Sequence, residues 1–315
     1  MDVVVTGAAG FIGSHLVERL VADGHFVRAI DCLTPYYDVR QKRENLDTIR
    51  ALPGCTVLEE DLLTCDLSEL LEGVDVVFHQ AGQPGVRASW DHFASYVDHN
   101  VIVTQRLLDA VRDSDVRRFV FASSSSVYGD APTYPTSEDD PPAPVSPYGV
   151  TKLAAEHLCG VYARNWGLAT VSLRYFTVFG PRQRPDMAMY RLIDAALSGE
   201  PFPLFGDGSQ VRDFTFVDDV VEANMLAGSS SLPPGTVLNV AGGTASTLLE
   251  VVQLVEELTG RAVMLHRRQS ERGDVRRTGG SIERADALLG WRPTVSLREG
   301  LTRQVTWHET LRSVR

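Results

Sequence analysis

Lysine is almost missing from this chain. Of its 30 positively charged side chains only two are lysines, Lys42 and Lys152, and the rest are arginines. Cysteine is also scarce: Cys32, Cys55, Cys65 and Cys159 form no C-x-x-C pair and no cluster with histidine. That spacing argues against a disulfide framework or a zinc site and for free thiols in a reducing compartment, so no metal is expected. No apolar run approaches the roughly 20 residues that span a bilayer, and the opening "MDVVVTGAAG" has neither a basic segment nor a cleavage site, which makes the cytoplasm the expected location. Positive charge is outnumbered by 41 acidic groups, giving a net charge of -11. That balance argues against nucleic acid or an anionic membrane as the main partner. An anionic small molecule remains compatible, because arginines can be concentrated at one place. The sequence also lacks internal repeats and low-complexity linkers.

What is present reads as an ordinary globular chain, 43% hydrophobic over 315 residues. Short apolar runs alternate with amphipathic ones through the first half. Strands are expected at Asp2–Val5, Phe26–Ile30, Thr56–Glu59, Val74–His79, "RFVFASS" and "ATVSLRY". Helices are expected at Ile12–Asp23, around Tyr96–Asp113 and at Tyr148–Trp166. Near-continuous apolar strands separated by helices predict an α/β fold, a Rossmann-type doubly wound parallel sheet. Beyond residue 174 the Pro and Gly content rises, and short helices between loops are expected there. The division that follows is a cofactor domain at 1–174 and a smaller C-terminal α/β substrate-binding part at 175–315. A strand and helix near 212–228 are expected to return to the first.

In "VVVTGAAGFIGSHLVERL", Gly7, Gly10 and Gly13 stand between the first strand and the first helix. Glycines there allow a tight turn, close approach of backbone to a pyrophosphate, and packing of helix on sheet. The helix N-terminus then offers free N–H groups to the phosphates. Asp31, about 20 residues on at the end of strand two, suits both ribose hydroxyls and repels a 2′-phosphate, so NAD is expected over NADP. Asp61 is placed either to meet the adenine edge or to cap a helix in "LLTCDL".

Tyr148 and Lys152 in "SPYGVTKLA" stand at i and i+4 on one helix face. A phenol titrates near 10, and a neighbouring ammonium is expected to favour the phenolate and make it a usable base. Taken alone, a lysine stem covering a surface tyrosine explains the pair as well. Upstream, "FASSSSVYG" ends a strand on four hydroxyls, Ser123 to Ser126, at the sheet edge where open α/β folds bind ligands. One of them can share a proton network with the tyrosine.

Together, Gly7-x-x-Gly10-x-x-Gly13, the strand-end serines and Tyr148-x-x-x-Lys152 resemble the extended short-chain dehydrogenase/reductases. The later stretches "GDGSQVRDFTFVDDVV" and "LGWRP" are similar to the nucleotide-sugar epimerases and dehydratases of that family. The resemblance runs essentially end to end and implies tightly held NAD, a UDP- or dTDP-sugar substrate and a homodimer built on a four-helix bundle. It makes Tyr148, Lys152 and Ser124 the catalytic set. It carries cofactor contacts to Gly7, Gly10, Phe11, Ile12, Gly13, Asp31, Asp61, Leu62, Gln80, Ala81 and Asn100, beside Tyr148 and Lys152.

The runs "GQPGVRASW" and "RYFTVFGPRQRPDMA" resemble the UDP-glucuronate 4-epimerases in particular, as does "YYDVRQKREN". A uronate needs a partner for its carboxylate, and arginine binds carboxylates through two parallel hydrogen bonds. Arg184 is expected in that role with Ser125 and Ser126, Arg87 being a second candidate. Thr177 is the threonine that the glucuronate group is similar in having after "YF". Arg212 and Asp274 fall where the resemblance puts the diphosphate and the uridine ribose. Glu271 stands where the family usually has an arginine, which leaves Arg272 or Arg268 for the diphosphate. The implied reaction takes the C4 hydroxyl proton through Ser124 to Tyr148 while C4 gives hydride to NAD; the 4-keto sugar rotates and hydride returns to its other face. The nearest alternatives are a UDP-glucose or UDP-N-acetylglucosamine 4-epimerase, a UDP-glucuronate decarboxylase, for which Ser126 replaces the expected glutamate, and a non-catalytic NAD-binding protein.

Overall fold

Runs of β-branched and aromatic residues become the strands of one seven-stranded parallel sheet. The computed structural model describes residues 1–269, 273 and 275–314. In chain order the first strands are β1 (Asp2–Thr6), β2 (Phe26–Ile30), β3 (Cys55–Leu58), β4 (Val76–His79), β5 (Arg118–Ser124) and β6 (Thr170–Tyr175). Their order across the sheet is β6, β5, β4, β1, β2, β3, and Thr236–Val240 pairs beside β6 as the seventh strand. The chain winds outward from β1 through β2 and β3, then crosses back to β4 and winds the other way. That reversal opens a crevice at the carboxyl ends of β1 and β4, where open α/β folds take ligands.

Both faces of the sheet are covered, which is why β4, β5 and β6 are buried along their whole length. Val3, Val5 and Phe78 point to one core, Val4, Val77 and Phe119 to the other. Helix α1 (Phe11–Ala22) buries Leu16, Val17 and Leu20 in the first core, with Ile12 half-buried at its rim. The second core takes Val103–Arg112 and Pro147–Trp166. Helix α2 (Val39–Arg50) was not visible as apolar periodicity, because it buries Gln41, Lys42 and Asn45 beside Leu46 and Ile49. Asn45 uses that burial to donate to the Ala9 carbonyl at 2.9 Å, so α2 holds the glycine turn in place.

Past residue 175 two expectations need correcting. Helices there are not short: Val217–Ser229 has 13 residues, Leu248–Thr259 has 12 and Leu297–Val314 has 18. Pro and Gly crowd the connections and leave the helix interiors intact. The strand near residue 212 also does not return to the sheet. Val211–Asp213 pairs with Ala245–Thr247, Thr215–Phe216 pairs with Val178–Phe179, and Thr236–Val240 is the segment that joins β6. A run of two or three extended residues is too short to complete a sheet edge, whereas the five apolar-rich residues "TVLNV" pair with five of the six of β6. Helix Val217–Ser229 does lie on the sheet, with Gly228 close against Phe78 of β4. No helix among the described residues is long and apolar enough to cross a membrane.

Candidate active site

The crevice above β1, β4 and β5 is a cleft with an empty volume of about 1140 Å³, open solvent at its mouth included. Gly7, Gly10 to Gly13, Asp31, Asp61, Leu62, Gln80, Ala81, Tyr148, Lys152 and Arg184 line it. Its floor requires glycine. Gly7 has φ 68°, and a Cβ there would stand 2.7 Å from the Ala81 nitrogen. At Gly13 a Cβ would come within 2.2 Å of the Gly7 carbonyl oxygen. No side chain caps the first turn of α1, so its amides face the cleft as an anion seat of the kind a pyrophosphate takes.

Asp31 is held by backbone. Its two oxygens accept from Ala9 N at 3.1 Å and Leu33 N at 2.8 Å, which ties the glycine turn to the loop after β2. Asp61 both caps and lines: Oδ1 accepts from Leu63 N at 2.9 Å in a turn rather than a helix, and the residue borders the cleft. The middle of the cleft is fixed by hydroxyls and amides behind it. Thr6 Oγ1 accepts from Ala81 N at 3.0 Å and also meets His79 Nδ1 at 2.8 Å. Asn100, 1% exposed, sits in a π-helical segment, Val97–Ile102, within the helical run Phe93–Arg112. Its amide accepts from Gln83 N at 2.7 Å and donates to Gln83 O and Thr151 Oγ1. It therefore clamps the lining loop from behind.

The catalytic candidates meet on helix Pro147–Trp166. Ser146 caps that helix by accepting from Gly149 N at 3.1 Å, and Pro147 opens it. Of the four serines, Ser123 is spent: its hydroxyl donates to Glu156 Oε2 at 2.6 Å, and Glu156 pairs with Arg174 in the core. Ser124 is the one near enough to Tyr148 to oppose the upward shift of its phenol, and its Oγ accepts from Ser126 N at 3.2 Å. Ser125 and Ser126 begin a 3-10 turn and are half-buried.

Lys152 Nζ donates to the Ala122 carbonyl at 2.9 Å, and burial lowers its pKa to about 8. Tyr148 is pushed up from the ordinary phenol value by burial, and the groups that oppose this are the Ser124 hydroxyl and the Arg184 cation. Sharing a helix face at i and i+4 brings the stems together, but the long lysine stem carries its ammonium to the end of β5.

Arg184 is about one-fifth exposed, and its guanidinium lies side-on to Asp186, Nε to Oδ1 at 3.0 Å and Nη2 to Oδ2 at 3.1 Å. Arg87, Thr177 and Arg212 do not line this cleft. The Arg87 guanidinium lies 4.0 Å over the Phe205 ring, Thr177 O accepts from Thr215 N, and Arg212 Nη1 donates to Val211 O. Arg268 ends the exposed strand Leu265–Arg268. Asp274, Glu271 and Arg272 lie outside the described residues.

Several lining residues escaped the sequence reading. Lys42 is one: both lysines of the chain line the same cleft, and Lys42, 6% exposed, donates to Thr34 Oγ1 at 3.1 Å. The rarity that singled out Lys152 applied equally to it. Tyr36 and Tyr37 follow Asp31 into the cleft, and Tyr175 joins it by hydrogen bonds to Gln80 and Asn224 at 3.1 and 3.0 Å. Cys32, Asp61 and His99 place donor atoms within 4.8 Å of one another, a grouping that sequence spacing concealed.

Residues 3–241 match the family described as the NAD dependent epimerase/dehydratase family. An uncharacterised UDP-glucose epimerase of Bacillus subtilis, YtcB, is 45% identical over 313 residues, 99% of each chain. The UDP-glucuronic acid 4-epimerase of Bacillus cereus, solved with UDP-glucuronic acid and NAD, is 41% identical with a TM-score of 0.96, covering 99% of this chain and 100% of that one. MoeE5, solved with UDP-glucuronic acid and NAD, is 45% identical with a TM-score of 0.90 over 99% of this chain and 100% of its own; it has also been solved with UDP-glucose and NAD.

Proposed function

Because the chain belongs to the NAD-dependent epimerase/dehydratase family, we propose that it is a 4-epimerase interconverting UDP-glucuronate and UDP-galacturonate. The observation that carries this reading is Arg184. A buried-side guanidinium stands at the same end of the cleft as Tyr148, near enough that its charge acts on the phenol. A substrate with a carboxylate beside its reacting carbon uses such a cation; a neutral C6 alcohol does not. The solved relative that binds UDP-glucuronic acid supports the same choice.

The cofactor is NAD, and bound in the cleft it takes hydride from C4 and later returns it. The uncapped amides of α1 would hold its pyrophosphate, Asp31 the adenosine ribose, and Lys152 the nicotinamide end. Ser124 passes the C4 hydroxyl proton to Tyr148, whose phenolate is favoured by Arg184 and by the serine hydrogen bond. Once the sugar has turned its other face to the cofactor, Tyr148 would give the proton back to O4. On this reading residues 1–174, with Val217–Ser229 and Thr236–Val240, would form the cofactor half and the rest of 175–315 would cover the sugar nucleotide, with Arg212 and Arg268 as the described candidates for its diphosphate. Four free thiols fit a reducing cytoplasm. A homodimer would use the exposed apolar faces of the helices around Ile102 and Val150.

A UDP-glucose 4-epimerase is the second reading, favoured by the name of the Bacillus subtilis relative and by the UDP-glucose complex of MoeE5. One assay separates them. Purified protein incubated with UDP-glucuronate is expected to yield UDP-galacturonate; turnover of UDP-glucose alone, or UDP-pentose as the main product, would end the proposal.

A further inference from the structure

Arg184 does not stand alone at the reacting end of the cleft. It lies between Gly180 and the helix beginning at Ala188, in a loop pinned at several points. Gln183 donates to Val178 O, Gln41 donates to the carbonyls of Arg182 and Gln183, and Arg182 pairs with Glu18 at 2.6 Å. These contacts fix the loop backbone and the neighbouring side chains. The Arg184 guanidinium has a different anchor, the carboxylate of Asp186 two residues on.

The geometry of that pair decides what is left over. Asp186 takes the Nε–Nη2 edge, at 3.0 and 3.1 Å, in the side-on arrangement. A guanidinium has five N–H groups in one plane, so the Nη1–Nη2 edge keeps a second pair of parallel donors. Tyr36 reaches Asp186 Oδ2 from the opposite lip of the cleft with its hydroxyl at 3.5 Å, so the carboxylate is approached from both sides. We propose that Asp186 is the positioning residue for the uronate carboxylate: by holding one edge of Arg184, it presents the other to the substrate at a fixed angle. This rests on the uronate reading above.

The angle matters chemically. A 4-keto uronate is a β-keto acid. When the C5–C6 bond aligns with the carbonyl π system, its electrons pass into the enolate and CO2 leaves. C5 then takes a proton from water, and return of hydride to C4 with the Tyr148 proton to O4 leaves UDP-pentose. A guanidinium held rigidly keeps the carboxylate out of that alignment, and a swinging one does not.

The test uses the cofactor-loaded enzyme. Conversion of UDP-glucuronate to UDP-galacturonate by the wild type is established first, and failure at that step overturns the substrate reading itself. With that in hand, Asp186→Asn is expected to raise KM for UDP-glucuronate about tenfold and the UDP-pentose to UDP-galacturonate ratio several-fold, with kcat changed far less. Asp186→Glu, which keeps the carboxylate, is expected to restore most of both. An unchanged KM and product ratio in Asp186→Asn overturns the proposal. So does an effect that Asp186→Glu fails to reverse, or an equal loss with UDP-glucose, which makes no demand on the guanidinium.

Discussion

A tyrosine base buried in a cleft is in the wrong protonation state unless something nearby favours its anion. Tyr148 is held above the ordinary phenol range by burial, and Ser124 and Arg184 oppose this. In the epimerase reading proposed above, Arg184 serves both the substrate carboxylate and the base. Arg184→Ala is expected to raise KM for UDP-glucuronate about 10- to 100-fold, the worth of a charged hydrogen-bonded pair. It should also move the alkaline-rising limb of the rate to higher pH, because losing the cation raises the phenol further. Steady-state profiles of the two proteins check both; a limb that stays in place would show that Arg184 does not act on the base. Lys152 Nζ meanwhile donates to the Ala122 carbonyl and so holds the end of β5.

The helix that carries the base is a well-bounded element. Ser146 and Pro147 start it, Gly167 at φ 69° stops it, and Ala155, Cys159 and Tyr162 bury one side of it in the second core. One turn beyond Lys152, Glu156 binds Ser123 and Arg174, and Arg174 Nη1 donates to Tyr128 at 2.6 Å. That buried chain ties the serine strand end to the helix. The opposite side of the helix leaves Val150 47% exposed, and the adjoining helical run leaves Phe93 and Ile102 45% and 40% exposed. Apolar side chains on two neighbouring helices suit a second copy of the same pair. Light scattering is expected to give twice the subunit mass for the wild type and the single mass for Ile102→Arg; a monomeric wild type would rule the dimer out.

Over the whole molecule, acid is the weak side. Burial lowers His79 to about 3 and His15 and His308 to about 4, so the folded chain refuses protons that the unfolded chain binds near 6.5. Asp213 works the other way: burial raises it to about 6, so the folded chain keeps a proton that the unfolded chain releases near 3.8. Between pH 6 and pH 4 the unfolded state thus carries a net excess of about two protons, and stability falls with falling pH by roughly 3 kcal/mol per unit. Denaturant midpoints measured from pH 7 to pH 4.5 should fall steeply; a flat series would mean that these histidines are not held neutral. Asp213→Asn should make the fall steeper, because it removes the larger of two opposing groups, Asp218 being the other carboxyl that burial raises.

Short-range chemistry was legible in the sequence because it depends on residues a few positions apart. The glycine turn, the alternation of strands and helices, Asp31 at the strand end and Tyr148 with Lys152 on one helix face are all of this kind. So is the pairing of Arg184 with Asp186, two residues on, although nothing in the pattern marked the carboxylate as its anchor. What the tertiary structure alone decided are contacts between distant segments. Ser123 is excluded by Glu156, 33 residues away, and Gln41 reaches the Arg184 loop from 142 residues away. Lys42 enters the cleft because α2 folds a polar face inward over Ala9, a burial that no hydrophobic period announces. Even the sheet's seventh strand was settled this way, since a short apolar run finds its partner by the length and register that packing offers, not by its place in the chain.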